Sequence, residues 1–246
     1  MSLLFFSGGI DSTVLLTDMT KNPHRYAIGE GERLYVVTYG KESVLKKRRK
    51  QLKPIIDHVS KKSAVRIVQK FIPSSLIGIP ANNVPHEGQN LQPSIDGDAW
   101  QKTTMPFTPG LYIALAGVAV NILGTSNGNL SDLDSWPYIG YFGFQYSREE
   151  YERADNDNDA YNDTSPAFIA KMNDLVKNSI LGIDIRFRAP YLEARMTKEH
   201  IVKMGLEIGA PLHLSSSCIQ GFGVDCGYCC HCLRRAALRA SIGAPV

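Results

Sequence analysis

The feature that most constrains the fold is a strand-like run, a glycine-rich loop and a helix-like run that follow one another at the start of the chain. Residues 3–6 are apolar, residues 7–13 read Ser-Gly-Gly-Ile-Asp-Ser-Thr, and residues 14–19 are again mostly apolar. A helix that begins directly after such a loop points several free backbone N–H groups at one place, which favours an anion. Gly8 and Gly9 allow a phosphate to approach the main chain, because they carry no Cβ.

Side chains of the glycine-rich loop (residues 7–13) can add to this site. Ser7, Ser12 and Thr13 offer hydroxyl groups, and Asp11 offers a carboxylate that could bind Mg²⁺. The P-loop pattern G-x-x-x-x-G-K-[ST] requires a lysine before the Ser/Thr, and the loop has none. A tight strand-to-helix connection without a ligand would use glycine in the same way. The position of the loop between a strand and a helix, together with its glycine and hydroxyl residues, favours a phosphate site that differs from the P-loop.

Alternating strand-like and helix-like runs predict an α/β fold. Residues 34–38 and 64–68 read as buried strands, with a basic helix from about Lys41 between them. This order implies a Rossmann-like parallel sheet with right-handed crossovers. Ligands of such sheets lie at the carboxyl ends of the strands. We therefore expect Tyr39 and Gly40 to join the glycine-rich loop in binding the cofactor.

The basic run at residues 46–50 has a structural and a functional interpretation. We interpret it as the solvated face of the helix, because no aromatic residues are interleaved to stack on bases. The formal net charge of +3 is also too small to indicate nucleic-acid binding. We therefore expect no nucleic-acid partner.

The middle of the chain gives weaker signals. Residues 71–105 predict a long connection, residues 111–123 an apolar helix, and residues 130–160 an irregular segment. Six aromatic residues between Trp136 and Tyr146 could form a satellite core, an oligomer contact or a stacking wall for a planar heterocycle. The sequence leaves these alternatives open.

The last third regains clear patterns. Ser165 and Pro166 predict the start of a helix over residues 167–177, residues 183–187 a strand, and Thr197 the start of another helix. We predict one α/β domain over residues 1–214, with an irregular insertion near residues 127–163. Residues 215–246 then form a zinc-binding C-terminal segment.

All five cysteines lie close together near the C-terminus, which favours a metal site over a disulfide framework. Cys218, Cys226, Cys229 and Cys232 have the spacing C-x7-C-x2-C-x2-C, and four thiolates close the shell of a structural Zn²⁺. An iron–sulfur cluster is the alternative, since four cysteines can hold one too. Cys230 and His231 are additional candidates, although neighbours of a ligand usually point away from the metal.

The composition bounds the class of protein. Of the 246 residues, 43% are hydrophobic and 21% are charged, as in ordinary globular domains. No apolar run approaches the ~18 residues of a membrane-spanning helix, and the first residues lack the features of a signal peptide. We expect a cytoplasmic enzyme with no membrane partner.

The glycine-rich loop resembles the SGGxDS signature of the PP-loop ATP pyrophosphatases, which adenylate an oxygen of their substrate. Together with the cysteine pattern, it makes the chain similar to the 7-cyano-7-deazaguanine synthase (QueC) family. The matching segments are Tyr39-Gly40, Pro109-Gly110 and residues 161–163, 166–169, 197–201, 205–212, 217–218, 226–229 and 232–235. The resemblance implies a HUP-type Rossmann-like fold and, we expect, a homodimer.

The resemblance also implies a reaction. Family members convert 7-carboxy-7-deazaguanine and ammonia to the nitrile with ATP. The carboxylate would be adenylated, an amine would displace AMP to give an amide, and a second activation would dehydrate it. The chain would then be an AMP-forming C–N ligase with ATP and Mg²⁺, and with Asp11 and Lys198 as catalytic residues. Arg186, Arg188 and Arg195 are weaker candidates for a phosphate-side cation.

Several family features are changed in this chain. Leu111-Tyr112 stands where an arginine is usual, residues 162–165 keep only Asp163 of Pro-Asp-Cys-Arg, Ser216 replaces a tryptophan, and residues 41–43 replace Gln-Arg-His. These changes suggest a diverged paralogue. One alternative is an enzyme of antiviral defence or DNA modification that joins the deazaguanine to a protein or other amine. Another is a nucleotide-binding scaffold without turnover.

Overall fold

A parallel sheet forms the centre of the computed structural model, which describes residues 2–29, 31–40, 42–61, 63–73, 138–144, 165–177, 185–216, 218 and 225–243. Its five strands within these ranges have the order β3-β2-β1-β4-β5, and each neighbouring pair is parallel. The strands are β1 (Ser2–Phe5), β2 (Arg33–Gly40), β3 (Arg66–Pro73), β4 (Tyr138–Tyr141) and β5 (Ile185–Arg188). The predicted α/β parallel sheet is confirmed.

Helices connect the strands and follow the last one. They are α1 (Ile10–Lys21), α2 (Glu42–Ser60), α3 (Pro166–Lys177), α4 (Pro190–Glu193), α5 (Lys198–Glu207) and α6 (Cys230–Ile242), with 3-10 turns at Pro23–Tyr26 and Leu212–Leu214. Among the described helices, none combines the length and the apolar character that a membrane span needs. The predicted helix over residues 111–123 and most of the predicted connection after Phe71 lie outside the described ranges.

The centre of the sheet is also the centre of the core. Leu3 and Leu4 of β1 are fully buried, as are Leu34 and Val36 of β2. Such near-continuous apolar strands are typical of parallel sheets with both faces covered. The strand order reverses between β1 and β4, and the carboxyl edge at such a switch point is where open α/β sheets bind ligands. The glycine-rich loop follows β1 at this edge.

Strands β2 and β3 end later than the sequence predicts. Tyr39 pairs with Ile72 and Gly40 with Pro73, so the predicted turn at Tyr39-Gly40 is the end of β2. Pro73 is tolerated because it is the last residue of its strand. At the other end, Ser63 Oγ bonds the backbone of Val65 at 2.7 and 2.9 Å, which holds the start of the predicted strand in a turn.

The expectation of an irregular segment over residues 130–160 is wrong for residues 138–141. These residues form β4, which lies between β1 and β5 in the sheet. Gly140 explains why the pattern is hard to recognise: a Cβ there would lie 3.0 Å from the Phe187 ring and 3.1 Å from the Phe5 ring. Glycine is needed at this position because aromatic rings on the neighbouring strands leave no room for a side chain, and not because the chain turns there.

Two helix predictions are confirmed in detail. The backbone N–H of Phe168 donates to Ser165 Oγ at 3.1 Å, so Ser165 caps α3. Helix α5 begins after Thr197, as predicted, and runs through Gly205, although glycine in a helix interior is unfavourable. A Cβ at Gly205 would lie 2.6 Å from Val14 Cγ2, so the glycine allows α5 to pack closely on α1.

Candidate functional site

The glycine-rich loop presents the start of α1 without a capping side chain. Gly9 is the N-cap residue, and the first helical bond runs from Thr13 N–H to the Gly9 carbonyl at 3.0 Å. Helix geometry therefore leaves the preceding amides without an intrahelical acceptor. The acidic Asp11 lies in this first turn, where the helix dipole favours negative charge. This end of α1 has the form of an anion site.

Packing against a neighbouring helix requires a glycine at position 8. Its φ is +77°, and a Cβ there would lie 2.2 Å from Leu52 Cδ2. Leu52 belongs to α2 and is fully buried. Helix α2 therefore presses on the back of the loop, and only glycine fits between them.

Hydroxyl groups meet inside the loop. Ser7 Oγ and Ser12 Oγ are 3.1 Å apart, Ser12 Oγ donates to the Gly9 carbonyl at 3.2 Å, and Gly9 N–H donates to Ser7 Oγ at 3.3 Å. Ser7 is exposed, whereas Ser12 and Thr13 are buried. Thr13 Oγ1 has no hydrogen-bond partner in the described part of the chain. A role in cofactor binding stays a prediction for these residues.

The two predicted catalytic residues meet, although 187 residues separate them in the sequence. Lys198 Nζ forms an ion pair with Asp11 Oδ2, and both side chains are partly exposed. Asp11 Oδ1 is buried and has no hydrogen-bond partner among the described residues. A carboxylate oxygen without a partner suits Mg²⁺, which prefers oxygen ligands. Tyr191 supports the site by donating from its hydroxyl to the Asp11 carbonyl at 3.4 Å.

A capping box places Lys198. Thr197 is the N-cap of α5, and Thr197 N–H donates to His200 Nδ1 at 3.2 Å. The third helical position of a capping box is usually Glu or Gln, and here a histidine fills it. Lys198 is the first helical residue, so its side chain starts from a fixed backbone position.

The solvated-face interpretation of the basic run holds for Lys46, Lys47, Arg49 and Lys50, which are exposed. It is wrong for Arg48, which is half-buried and donates from Nη1 to the Ser7 carbonyl at 2.6 Å. Burial lowers the pKa of Arg48, and the nearby Tyr39 opposes that shift.

Sequence spacing could have found Arg48. Leu45 and Leu52 are buried on the inner face of α2, and Arg48 lies at the same helical spacing between them. Tyr39, whose pKa is raised by burial, lies close enough for the Arg48 charge to act on it. The end of β2 and the basic helix thus both reach the glycine-rich loop.

The segment after β4 lies against the same loop. A Cβ at Gly143 would lie 3.1 Å from Ser12 N and 3.3 Å from Asp11 Cβ. The neighbouring Phe142 stacks on Phe5 at 4.5 Å and on Phe144 at 4.8 Å. Phe142 is buried, as a core residue would be, while Phe144 is half-buried. Trp136 and Tyr146 of the predicted aromatic cluster lie outside the described ranges.

The weaker cation candidates differ from Lys198 in their exposure or in their ion-pair partner. Arg186 and Arg195 are exposed. Arg188 forms an ion pair with Glu193, and this contact raises the pKa of Arg188. None of the three has a described contact with Asp11 comparable to that of Lys198.

The four predicted metal ligands converge. The sulfur atoms of Cys218, Cys226, Cys229 and Cys232, here called the cysteine cluster, lie within 4.8 Å of one another. A tetrahedral Zn²⁺ with Zn–S bonds of about 2.3 Å requires sulfur atoms about 3.8 Å apart. Cys226 Sγ and Cys232 Sγ are 3.9 Å apart. The cluster could therefore hold a metal ion.

The backbone around Cys226 favours a thiolate. Gly227 has a φ of +79°, and Cys229 N–H donates to Cys226 Sγ at 3.4 Å. Burial alone would raise the pKa of the Cys226 thiol, but N–H groups of Tyr228 and Cys229 lower it to about 7. Burial raises the pKa of Cys232 to about 12. A cation between these sulfur atoms would replace the proton that burial favours on Cys232.

The helix that follows the cluster lies close to the Asp11–Lys198 ion pair. His231 lies in the first turn of α6 and is half-buried. Burial lowers the pKa of His231, the charges of Arg234 and Lys198 lower it further, and Asp11 raises it. His231 therefore lies close enough to Asp11 and Lys198 for both charges to shift its pKa. For Cys230, only the backbone is described.

Comparison with known proteins agrees with the motifs. The family model "Queuosine biosynthesis protein QueC" matches residues 152–241. The 7-cyano-7-deazaguanine synthase of Methanosphaera stadtmanae is 39% identical over 82 residues, which are 32% of this chain and 35% of that protein. This chain thus aligns with about a third of that relative's length.

Other relatives align over nearly the whole chain at lower identity. The 7-cyano-7-deazaguanine synthase of Koribacter versatilis is 26% identical over 246 residues, covering 99% of this chain and 89% of that protein. The synthase of Methanosphaerula palustris is 24% identical over 251 residues, covering 100% of this chain and 97% of that protein.

A solved structure, the U34-tRNA thiolase NcsA from Methanococcus maripaludis with its 4Fe-4S cluster, gives a TM-score of 0.46 at 10% identity. It covers 98% of this chain and 65% of that chain, and this likeness is too low to support a conclusion. The glycine-rich loop, the cysteine cluster, the family match and the full-length relatives agree with one another. The chain therefore fits the QueC family as a diverged member.

Proposed function

We propose that the protein is an ATP-dependent, AMP-forming ligase that activates the carboxylate of a 7-deazaguanine and joins it to an amine. The observation that carries this proposal is the meeting of Asp11 and Lys198 at the start of α1. A carboxylate for a metal ion and a cation for a phosphate thus lie beside free helix N–H groups. The QueC-like relatives supply the substrate class.

The reaction forms and breaks two bonds in sequence. A carboxylate oxygen attacks the α-phosphorus of ATP, and the bond to the β-phosphate breaks to release pyrophosphate. The amine nitrogen then attacks the acyl carbon, AMP leaves with the bonding electrons, and the nitrogen loses a proton. Addition of ammonia gives an amide, and a second activation of that amide would give the nitrile.

The chain's own groups would lower the barrier by holding charge. The glycine-rich loop binds the phosphates through backbone N–H groups and the Ser7 hydroxyl. Lys198 would stabilise the negative charge of the departing pyrophosphate. Asp11 Oδ1 would hold Mg²⁺, which would supply charge neutralisation at the phosphates. Arg48 fixes the Ser7 carbonyl and keeps the loop open for the anion.

A direct assay tests the activity. The protein is incubated with ATP, Mg²⁺, 7-carboxy-7-deazaguanine and ammonia, and AMP and the deazaguanine products are followed by mass spectrometry. AMP with a mass change to amide or nitrile supports the proposal. If neither AMP nor a mass change appears, ammonia is not the amine that the protein uses, and the assay is repeated with other amines.

Lys198→Gln provides the test of the site. We expect AMP formation to fall by about 100-fold, because the phosphate-side cation is lost. Lys203→Gln is the matched control, since Lys203 is exposed on the same helix. Equal activity of Lys198→Gln and wild type would remove Lys198 from the mechanism. Equal activity of Asp11→Ala and wild type would mean that this site does not perform the reaction, as in a scaffold without turnover.

A second candidate function changes the acceptor. It is favoured by the altered family residues at Leu111-Tyr112, 162–165 and 41–43 and by a family match confined to residues 152–241. In this candidate, a QueC-like enzyme of antiviral defence or DNA modification conjugates the deazaguanine to a protein or another amine. A covalent adduct that appears only when the partner is present would distinguish it from nitrile synthesis.

For the cysteine cluster we propose a structural Zn²⁺, because four protein thiolates leave no open coordination position. Elemental analysis should give one zinc per chain with no visible absorbance. Iron with visible absorbance would instead identify an iron–sulfur cluster. The proposed partners are the small-molecule deazaguanine substrate, a protein amine as the acceptor in the second candidate function, and a second copy of the chain in a homodimer.

A further inference from the structure

The segment before the cysteine cluster touches the glycine-rich loop directly. Ser216 N–H donates to the Gly8 carbonyl at 3.0 Å. The Ser216 hydroxyl donates to Asp225 Oδ1 at 3.2 Å and accepts Cys218 N–H at 3.4 Å. Cys218 is a member of the cluster, and Asp225 precedes the member Cys226. One residue therefore joins the loop to both arms of the metal segment.

A buried arginine fixes the same segment from the other side. Arg235 is 4% exposed, and it donates from Nη1 to the Ser215 carbonyl at 2.7 Å and from Nη2 to the Leu212 carbonyl at 2.9 Å. Its Nε lies 3.7 Å from Asp225 Oδ2. A buried guanidinium is costly unless its donors are satisfied. Here the carbonyls of Ser215 and Leu212 satisfy two donors, and Asp225, the residue before Cys226, pairs with the charge.

Two members of the cysteine cluster lie at the start of the helix that carries Arg235. Cys229 is the N-cap of α6, and Cys232 lies in its first turn, one turn before Arg235. The buried side chains described between residues 225 and 243 are Cys229, Cys232, Arg235 and Leu238. So little apolar burial cannot by itself order the segment. A metal ion bound by the four thiolates would fix the start of α6 and, with it, the position of Arg235.

We propose that Arg235 and Ser216 make the conformation of the glycine-rich loop depend on the metal in the cysteine cluster. Arg235 is a positioning residue: it holds residues 212–215, from which Ser216 reaches Gly8. Coupling of two sites is reciprocal. A nucleotide bound at the loop therefore tightens metal binding by the same factor by which the metal tightens nucleotide binding. The part of this inference that uses ATP rests on the proposed function.

The test compares Arg235→Lys with Arg239→Lys. Both changes keep the charge, and Arg239 is exposed further along the same helix. We expect metal-loaded Arg235→Lys to show faster amide exchange in residues 6–13 and a dissociation constant for ATP raised by about tenfold. Arg239→Lys should match wild type in both. In wild type, removing the metal with a chelator should accelerate exchange in the same peptide, and ATP should raise the equilibrium metal affinity.

The outcomes separate this inference from the proposed function. If wild type does not bind ATP, the proposed function fails, while exchange in residues 6–13 with and without metal still decides the coupling. If exchange in this peptide ignores both metal removal and Arg235→Lys, the coupling is overturned. If Arg235→Lys does not fold, Ser216→Ala takes its place, because it removes the hydroxyl that bonds Asp225 and Cys218. Wild-type exchange and ATP affinity in that variant would then overturn the proposal.

Discussion

The glycine-rich loop and the cysteine cluster lie at the same end of the molecule, yet they are ordered by different forces. The loop is enclosed by apolar packing: Leu52 fills the space behind Gly8, and Leu3 and Leu4 of the preceding strand β1 are fully buried. The segment around the cluster exposes Tyr228 and Leu233, at 57% and 51%, and buries a charged arginine. The comparison teaches that apolar packing supports the strand and the helix that carry the loop, whereas the segment around the cluster would rely on a bound metal ion and on polar contacts.

Removal of the metal should have the largest effect, and it should act most strongly on the segment around the cysteine cluster, with a smaller effect on the glycine-rich loop. Binding of a structural zinc is worth about 10 kcal/mol or more in small domains. We expect a chelator to abolish protection of backbone amides in residues 225–243, while β1 and β2 stay protected. Hydrogen exchange read by mass spectrometry measures both. Loss of protection throughout the sheet would show that the two regions share one cooperative unit.

Gly8→Ala should have the next largest effect, on the apolar side. The alanine Cβ would meet Leu52 at 2.2 Å, and the backbone has a φ of +77°. We expect a loss of about 3 kcal/mol in the free energy of unfolding, the sum of a backbone cost and a clash. Denaturant unfolding measures this loss.

Gly31→Ala is the control for that substitution. Gly31 has the same φ of +77°, and a Cβ there would meet nothing within 4 Å. It should lose only the backbone part, about 1 kcal/mol. Equal losses at Gly8 and Gly31 would mean that Leu52 yields and that the loop is less tightly packed than the distances indicate.

Tyr26→Phe should have the smallest effect of the three. The Tyr26 hydroxyl donates to the buried carboxylate of Asp18, and burial raises the pKa of Tyr26, so it remains a donor. Removing it should cost about 2 kcal/mol, because a buried charge loses a donor. Tyr191→Phe, whose hydroxyl donates to a neutral carbonyl at 3.4 Å, should cost less than about 1 kcal/mol in thermal unfolding. Asn22 Nδ2 also donates to Asp18 Oδ1 at 2.6 Å, and Arg25 Nη1 lies 3.6 Å from Asp18 Oδ2. The opposite ranking would show that these two contacts satisfy Asp18 without Tyr26.

Local sequence predicted the features that local chemistry determines. The glycine-rich loop, the cysteine ligands, the Ser165 cap and the start of α5 at Thr197 all follow from neighbouring residues. Strand β4 could not be predicted in this way, since Gly140 is set by rings on β1 and β5. The family resemblance identified Lys198, whose contact with Asp11 no local pattern contains.

Three contacts around the loop were not predicted from the sequence. The buried position of Arg48 could have been predicted, because Arg48 shares the inner face of α2 with Leu45 and Leu52. The bonds of Arg235 to residues 212 and 215 depend on how α6 folds back, which spacing does not encode. The sequence shows that Ser216 replaces a tryptophan of the family, but its hydrogen bond to Gly8 is visible only in the structure.

The position of β1 has a consequence for how the protein is made. Leu4 pairs with Val36 on one side and with Tyr141 on the other. Asp11 forms its ion pair with Lys198, which lies 187 residues further along the chain. The central strand thus leaves the ribosome long before its second neighbour, and its apolar surface needs protection in the meantime. A nascent chain therefore contains the loop without its counter-charge for most of its synthesis. Formation of the ion pair marks the moment at which the whole sheet has been assembled.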